Sequence, residues 1–229
     1  YSLTFMLWIL GGAYTRSNII GFIMQPKSIA GSTYGINAYA LGARLVNHNV
    51  RVLRGVMETE YSSEEDRILR ASLAARGADV VFSQYPNEDP FWMNRFDNLY
   101  GMLCSVLPNG SVADYLATSA WNWEVVYIKI LGDYLDGTFD ILKHSDSGSL
   151  NFWLGLSAGA TDVYMADIAL GPHTTRLGRI FKDLIAKSSL HPFTGPIRDT
   201  DGNIRVEKGD IPSLLDIQNM RWFCDIIEE

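Results

Sequence analysis

The chain has 229 residues, of which 47% are hydrophobic and 20% are charged, and its net charge at pH 7 is −7. A chain of this size can bury a substantial core as one large domain or two small ones. Its Lys and Arg residues are scattered, which argues against nucleic acid as the main partner, because phosphate binding needs a clustered basic surface. The longest apolar run, residues 5–13, is too short to cross a bilayer and is typical of a buried helix.

Strand-length apolar runs alternate with segments of helical periodicity in the first half of the chain. The spacing predicts helices over residues 3–15, 34–46 and 62–76, and strands over 19–24, 50–56, 78–82 and 99–106. Ser62 and Glu65 stand in the spacing of a capping box at the start of the third helix. This alternation predicts βαβ units, a parallel sheet and an α/β fold class.

The pattern continues after the turn residues Pro108-Asn109-Gly110. The predicted elements there are strands over residues 113–118 and 150–156 and helices over 122–135 and 174–188. Residues 197–206 then read as a small hairpin closed at Asp201-Gly202, followed by a last amphipathic helix.

Signatures of catalysis and of metal binding are absent from the sequence. Its four His residues lie far apart, and it contains neither a nucleophile-elbow nor a P-loop motif. The pair Asp162 and His173 is interpreted as polar loop residues. Cys104 and Cys224 are predicted to be buried free thiols, although a bridge between them stays open. We therefore expect no enzyme activity, no cofactor and no metal site.

Several phrases of the sequence resemble one known family. Residues 193–206, F-T-G-P-I-R-D-T-D-G-N-I-R-V, and then M-R-W-F at 220–223, are similar to the end of the basic-membrane-lipoprotein (BMP, PnrA-like) family of ABC transporter substrate-binding proteins. Members close with F-x-G-P-I-x-D-x-D-G-x-x-R-V and M-x-W-F. Further similar phrases occur in the family's order at residues 35–43, 75–82, 121–123 and 135–139.

The resemblance implies a fold of the periplasmic-binding-protein type I kind, with two Rossmann-like lobes and a solute held between them. On this mapping residues 1–18 end the opening portion of the first lobe and 19–111 form the second lobe. Residues 112–150 return to the first lobe, and 151–229 complete the second with the hairpin and helix. The family's opening strands have no counterpart here, so the first lobe is expected to be incomplete, either because the sequence is a fragment or because the chain is a reduced relative with half a cleft.

The resemblance also implies a function. Family members capture purine-type solutes outside the cell, so we expect binding of a purine nucleoside or related heterocycle for an ABC-type importer, with its permease as a partner. An extracytoplasmic location follows, periplasmic or at the cell surface, anchored through a segment outside this sequence. A ligand-sensing ectodomain of a receptor and an α/β enzyme remain as alternatives.

Candidate ligand-binding residues follow from where parallel strands end, because the binding crevice of such sheets opens there. Gln25, Gln84 and Asn87 follow predicted strands and could hydrogen-bond a purine edge, while Trp121 and Trp123 could stack on its face. The plainer interpretation is that the three amide side chains are solvated in loops and that the two tryptophans pack against each other at a strand end. Ser157 stands where the family has Lys, and an acid expected after the strand at 99–106 is missing, which predicts altered specificity or no solute binding.

Overall fold

The computed structural model of the protein describes residues 2–24, 32–59, 62–83, 99–138 and 154–228. Its helices are α1 (Ser2–Tyr14), α2 (Ser32–Val46), α3 (Ser63–Ala75), α4 (Trp123–Leu135), α5 (Asp167–Ala186) and α6 (Leu214–Gln218). Its strands are β1 (Ile19–Met24), β2 (Arg51–Val56), β3 (Val80–Ser83), β4 (Leu99–Val106), β5 (Val112–Trp121), β6 (Thr161–Met165), β7 (Ile197–Arg198), β8 (Ile204–Val206) and β9 (Ile227–Glu228).

Helix α1 is the centre of the larger hydrophobic core. Every residue from Phe5 to Gly12 is buried, because the helix is apolar on all sides and packs between α2 and α5 against the sheet. The prediction of a buried helix here is confirmed. None of the helices in the described ranges is both long and apolar enough to cross a membrane.

Seven strands form one sheet in the order β6-β5-β4-β3-β1-β2-β9. Strands β1, β2 and β3 run parallel, as the alternation of strands and helices predicts, and β9, a strand that was not predicted, pairs parallel to β2. Helices α1, α2 and α5 contribute to the larger core, and α3 packs with a smaller core of β1, β2 and β3 residues. The predicted α/β class is confirmed.

The prediction of a parallel sheet is wrong for its second half. Strand β4 is antiparallel to β3, β5 is antiparallel to β4, and β6 is antiparallel to β5. The five residues from Leu107 to Ser111 join β4 to β5. A parallel crossover needs a dozen or more residues, so this short turn permits only a hairpin.

Three other element boundaries differ from their predictions. In the strand predicted at 150–156, residues 150–153 lie outside the described residues and Leu156–Ala158 form a 3₁₀ turn, with the strand beginning at Thr161. The strand predicted at 113–118 continues to Trp121. The last long helix begins at Asp167 and is kinked at Gly171, directly before Pro172, whose ring and missing N–H disfavour a continuous helix.

The C-terminal segment contains a small hairpin and the last strand of the sheet. Strands β7 and β8 form the predicted hairpin, and the buried Asp199 accepts hydrogen bonds from the backbone of Asp201 and Asn203 and from Arg205 Nε. Strand β9 then pairs with β2 at one edge of the sheet.

Cys104 and Cys224 are both buried and free, which confirms the prediction that the two are buried free thiols. The lobe boundaries at residues 18, 111 and 150 stay predictions.

Candidate functional site

One edge of the sheet collects the ends of four strands. Because β3 and β5 are both antiparallel to β4, β5 runs in the same direction as β1, β2 and β3. The carboxyl ends of these strands, at Met24, Val56, Ser83 and Trp121, therefore lie along one side, here named the carboxyl edge. Ligands of open α/β sheets bind outside such an edge.

Trp121 is the last residue of β5, and Trp123 is the first residue of α4. Their indole rings are stacked, with 5.3 Å between ring centroids and 18° between ring planes. Tyr127 lies one turn further along α4, with its ring centroid 6.3 Å from that of Trp123. The two tryptophans that sequence analysis singled out thus form one aromatic stack that begins at the carboxyl edge.

A pocket of about 340 Å³ opens beside Trp121, between the start of β6 and the last turns of α5. This pocket is named the β6–α5 pocket. Its aromatic and polar lining residues are Trp121, Asn122, Thr161, Asp162, Tyr164, Lys182 and Asp183. The volume lies within the range of small-molecule sites, which begins at about 300 Å³. An aromatic wall with a few polar groups is the usual composition of such sites.

The pocket lies at the carboxyl edge because of strand register. Trp121 is the Cα partner of Thr161, so the end of β5 and the beginning of β6 are adjacent. The 3₁₀ turn at Leu156–Ala158 precedes β6, and Leu156 and Gly159 line the pocket. Lys182 and Asp183 reach it from α5, where they lie in the last turns of the helix.

The β6–α5 pocket is lined by two carboxylates and one ammonium group. Lys182 Nζ forms an ion pair with Asp162 Oδ1, and the same oxygen accepts a hydrogen bond of 2.6 Å from the backbone N–H of Val163. Asp183 adds a second carboxylate. Asp162 and Lys182 are both partly exposed, with side chains 39% and 32% accessible, so solvent can be displaced from them by a ligand.

A buried polar cluster lies at the end of β3. Ser83 Oγ donates a hydrogen bond to Asp66 Oδ1, and Arg70 NH2 lies 3.6 Å from Asp66 Oδ2. All three residues are at most 3% exposed. A buried carboxylate needs such partners, because an unpaired charge in the interior is costly. The cluster attaches α3 to the carboxyl edge.

The predicted site residues divide into two groups. Trp121 and Trp123 are brought together at the carboxyl edge, and Trp121 also lines the β6–α5 pocket. Gln25, Gln84 and Asn87 lie outside the described residues, although Gln25 follows Met24 and Gln84 follows Ser83 directly in the chain. Their roles stay predictions.

Sequence analysis missed β6, and it predicted a helix over 174–188 without singling out Lys182 or Asp183 in it. It placed a strand over 150–156 and interpreted Asp162 and His173 as loop residues, whereas Asp162 lies in β6 and His173 in α5. Asp162 pairs with Lys182, twenty residues away, which no spacing rule indicates. The alternation of Thr161, Val163 and Met165 with polar neighbours was the available signal for this strand.

Within the described ranges, no group of three or more His, Cys, Asp or Glu side chains is placed to hold a metal ion. The pocket combines N–H donors, carboxylate acceptors and an indole face, which together match a flat heterocycle with a polar edge.

Three comparisons with known proteins show what this chain is similar to. No protein-family model matches the chain. The sequence is 25% identical over 211 residues to a purine-binding protein of Brucella abortus (strain 2308), covering 87% of this chain and 57% of that protein. The structure is similar to an ABC transporter solute-binding protein from Conexibacter woesei DSM 14684, with a TM-score of 0.55, 12% identity, and coverage of 83% of this chain and 62% of the other.

The chain has the fold of a solute-binding protein. This likeness confirms the predicted periplasmic-binding-protein fold. The chain spans less than two thirds of the length of both relatives, 57% and 62%.

Proposed function

We propose that this protein is an extracytoplasmic solute-binding protein of BMP type that captures a purine nucleoside or a related heterocycle for an ABC-type importer. The observation that carries the proposal is the β6–α5 pocket, where Trp121 lies beside hydrogen-bonding groups at the carboxyl edge. A purine presents two flat faces and an edge of donors and acceptors, so it matches both kinds of group. The name of the Brucella abortus relative points to the same ligand class.

Binding in this proposal is non-covalent. Stacking of a base on an aromatic ring contributes about 1 to 3 kcal/mol. Hydrogen bonds to the polar edge give orientation and discrimination between heterocycles. Gln25, Gln84 and Asn87 are proposed as further contacts, since they follow strands that end at the carboxyl edge.

Delivery of the bound solute to the importer is proposed to begin with lobe closure. A solute held at the edge of one lobe becomes enclosed when a second lobe closes over it by a hinge motion, and the ligand favours the closed state by contacting both. A permease of the importer then receives the solute. The protein itself makes and breaks no covalent bond in this scheme.

The test is a binding experiment with the 229-residue chain. Adenosine, guanosine, inosine and their free bases are added separately, and binding is measured by native mass spectrometry and by isothermal titration calorimetry. Uridine and ribose serve as controls that carry the sugar without a purine. A one-to-one purine complex with no comparable uridine complex supports the proposal. A folded chain, verified by circular dichroism, that binds none of the purines would overturn it.

A further inference from the structure

Helix α4 leaves a broad apolar surface in water. The helix is described along its whole length, and none of its thirteen residues is buried. Six of its large hydrophobic side chains are between 46% and 81% exposed: Trp123, Tyr127, Ile128, Leu131, Tyr134 and Leu135. At 3.6 residues per turn, these six fall within an arc of about 140° on one side of the helix. This side is named the α4 face.

The α4 face is large enough to form a stable interface. With about 200 Å² for a fully exposed large side chain, the six exposed fractions correspond to roughly 700 Å². The largest apolar patch on a typical monomer is about 300 to 600 Å². Each partner in a stable protein–protein interface buries about 800 Å². The α4 face is therefore larger than an ordinary surface patch and close to what one half of a dimer contact needs.

The charges of α4 favour a protein surface over a lipid surface as the occupant. Lys129 Nζ lies 3.1 Å from Asp133 Oδ2 in an ion pair, and both residues lie on the side of the helix away from the α4 face. Helices that lie on membranes carry polar faces rich in Lys and Arg. Lys129 is the single cation of α4, and the chain has a net charge of −7. An apolar protein surface therefore matches the α4 face better than an anionic bilayer does.

Residue spacing makes the α4 face complementary to a second copy of itself. The residues along its middle follow one another at spacings of three, four and three: Glu124, Tyr127, Leu131 and Tyr134. This is the heptad spacing of a seam between two helices, and it is the same when read backwards. An antiparallel pair of α4 helices therefore places Tyr127 of each copy against Leu131 of the other.

The one carboxylate on the α4 face decides the direction of the pair. In the antiparallel arrangement Glu124 of each copy lies against Tyr134 of the other, and a phenol hydroxyl can donate a hydrogen bond to a carboxylate. A parallel arrangement would set the two Glu124 carboxylates against each other, and like charges brought together at an interface are costly. The antiparallel pair is favoured for this reason.

We propose that the α4 face is the interface of a two-fold symmetric homodimer, in which α4 packs antiparallel against α4 of a second copy. A two-fold contact uses the same surface on both chains, so the exposed side chains of both copies are covered at once. Ile128 and Leu135 flank the seam and extend the apolar contact. The inference does not depend on solute binding.

The first experiment measures the mass of the 229-residue chain, 25.6 kDa as a monomer, by sedimentation velocity and light scattering. A mass of twice this value is expected over a range from about 1 to about 100 µM, since interfaces of this size have micromolar or tighter affinity. Leu131→Glu should raise the dimer dissociation constant about a hundredfold or more, because it adds a carboxylate to the seam twice in each dimer.

The chain offers a matched control for this substitution. Leu215, in α6, is 66% exposed and Leu131 is 59% exposed, so Leu215→Glu makes the same change at a similar position outside the α4 face. The control variant should dimerise as the wild type does. Circular dichroism verifies that both variants are folded.

Cysteine cross-linking tests the antiparallel arrangement. Cys104 and Cys224 are buried, so thiols introduced at exposed positions react first. In the proposed pair the Glu124→Cys thiol of one copy faces the Tyr134→Cys thiol of the other, whereas the two copies of position 134 lie about 15 Å apart along the helices. A disulfide needs Cα atoms within about 7 Å. Mild oxidation should therefore give a covalent dimer in a mixture of the two variants and none with Tyr134→Cys alone.

A dimer that Leu131→Glu abolishes and Leu215→Glu retains, with cross-linking only in the mixture, supports the proposal. A dimer that folded Leu131→Glu retains overturns the α4 interface. Covalent dimers of Tyr134→Cys alone overturn the antiparallel arrangement.

A wild-type chain that stays monomeric at every concentration also overturns the proposal, and two further measurements then show what occupies the face. A monomer that sediments with phosphatidylethanolamine and phosphatidylglycerol vesicles binds lipid there. A monomer whose Glu124→Cys and Tyr134→Cys thiols resist a soluble maleimide covers the face with its own residues. Purine titration is read separately, so a monomer that binds adenosine overturns this inference while the proposed function stands.

Discussion

Trp121 connects three features of the molecule at the scale of a single residue. It ends β5, it stacks on Trp123, and it lines the β6–α5 pocket. Trp123 is 46% exposed and does not line the pocket, so its ring supports that of Trp121 from α4. The two residues therefore have different expected roles, although they are two positions apart in the sequence.

Replacing Trp121 should show this difference. Trp121→Ala is expected to weaken purine binding about tenfold or more, because base stacking on an aromatic ring contributes about 1 to 3 kcal/mol. Trp123→Ala should cause a smaller loss, through the orientation of Trp121. Calorimetric titration with adenosine measures both. Tyr134→Ala, an exposed aromatic residue at the far end of α4, is the control and should bind as the wild type does. Unchanged affinity in Trp121→Ala would remove the indole from the site.

Asn37 is the second residue with a decisive local role. Its side chain is fully buried, donates from Nδ2 to the carbonyl of Trp222 at 2.8 Å, and accepts from the backbone N–H of Cys224 at 2.9 Å. One amide thus satisfies two backbone groups of the C-terminal segment and connects that segment to α2. Polar residues of this kind are seldom found by periodicity, since Asn37 lies on the buried side of a helix.

Asn37→Ala should lower the free energy of unfolding by about 1 to 3 kcal/mol, because the carbonyl of Trp222 and the N–H of Cys224 lose their partner. Urea unfolding followed by circular dichroism measures the change. Asn49→Ala, at an exposed position after α2, is the matched control and should change stability by less than about 0.5 kcal/mol. Equal stability of the two variants would contradict a structural role for Asn37.

The close approach of α1 and α2 is the main contact between elements. A Cβ atom on Gly42 would lie 2.2 Å from the carbonyl oxygen of Phe5, so the two backbones meet where α2 has no side chain. Gly12, on α1, faces Ala43 in the same way. Absence of side chains at these positions allows the helices to pack at short range and covers one face of the sheet.

Gly42→Ala should therefore destabilise the protein by about 1 to 3 kcal/mol or more, since the helices must separate to admit the methyl group. Gly35→Ala, in the first turn of the same helix, has no atom within 4 Å of its Cβ position. That variant should gain up to about 1 kcal/mol, because Ala favours a helix over Gly. Thermal and urea unfolding of the two variants give shifts of opposite sign. A stabilising Gly42→Ala would contradict the close contact.

Elements were predictable where local pattern and environment agree. Helix α3 begins where the Ser62 cap indicates, with Ser62 Oγ accepting from the backbone of Glu65. The hairpin at residues 197–206 forms because turn residues determine its closure locally. Strand β6 was missed although residues 161–165 alternate, because a pattern of only five residues is a short signal and the pairing with β5 stabilises the strand.

The buried thiol of Cys224 makes the stability of the whole molecule depend on pH. Desolvation raises the pKa of this thiol from its ordinary value of 9.0 to about 12, with Arg44 lowering and Asp225 raising it by smaller amounts. The unfolded chain releases this proton above pH 9, whereas the folded protein retains it until about pH 12. The unfolded state therefore binds fewer protons in this interval, and the free energy of unfolding falls as pH rises.

The expected outcome is a loss of stability between about pH 9 and about pH 12 that depends on Cys224. In Cys224→Ala the unfolding free energy should fall less steeply over this interval, while its value at pH 7 reports only the packing change. Urea unfolding of both proteins at pH 7 and pH 10.5 gives the comparison. Parallel pH profiles for wild type and variant would show that the buried thiol does not contribute.

The sequence by itself determined the α/β class, the buried helix α1, the C-terminal hairpin and the position of Trp121 and Trp123 after a strand. Each of these follows from short-range periodicity, turn chemistry or motif. The tertiary structure decided the antiparallel second half of the sheet, the ion pair of Asp162 with Lys182 and the pocket around Thr161. These features join segments that are far apart in the chain. Their free energy comes from burial and pairing between elements, which no local sequence window contains.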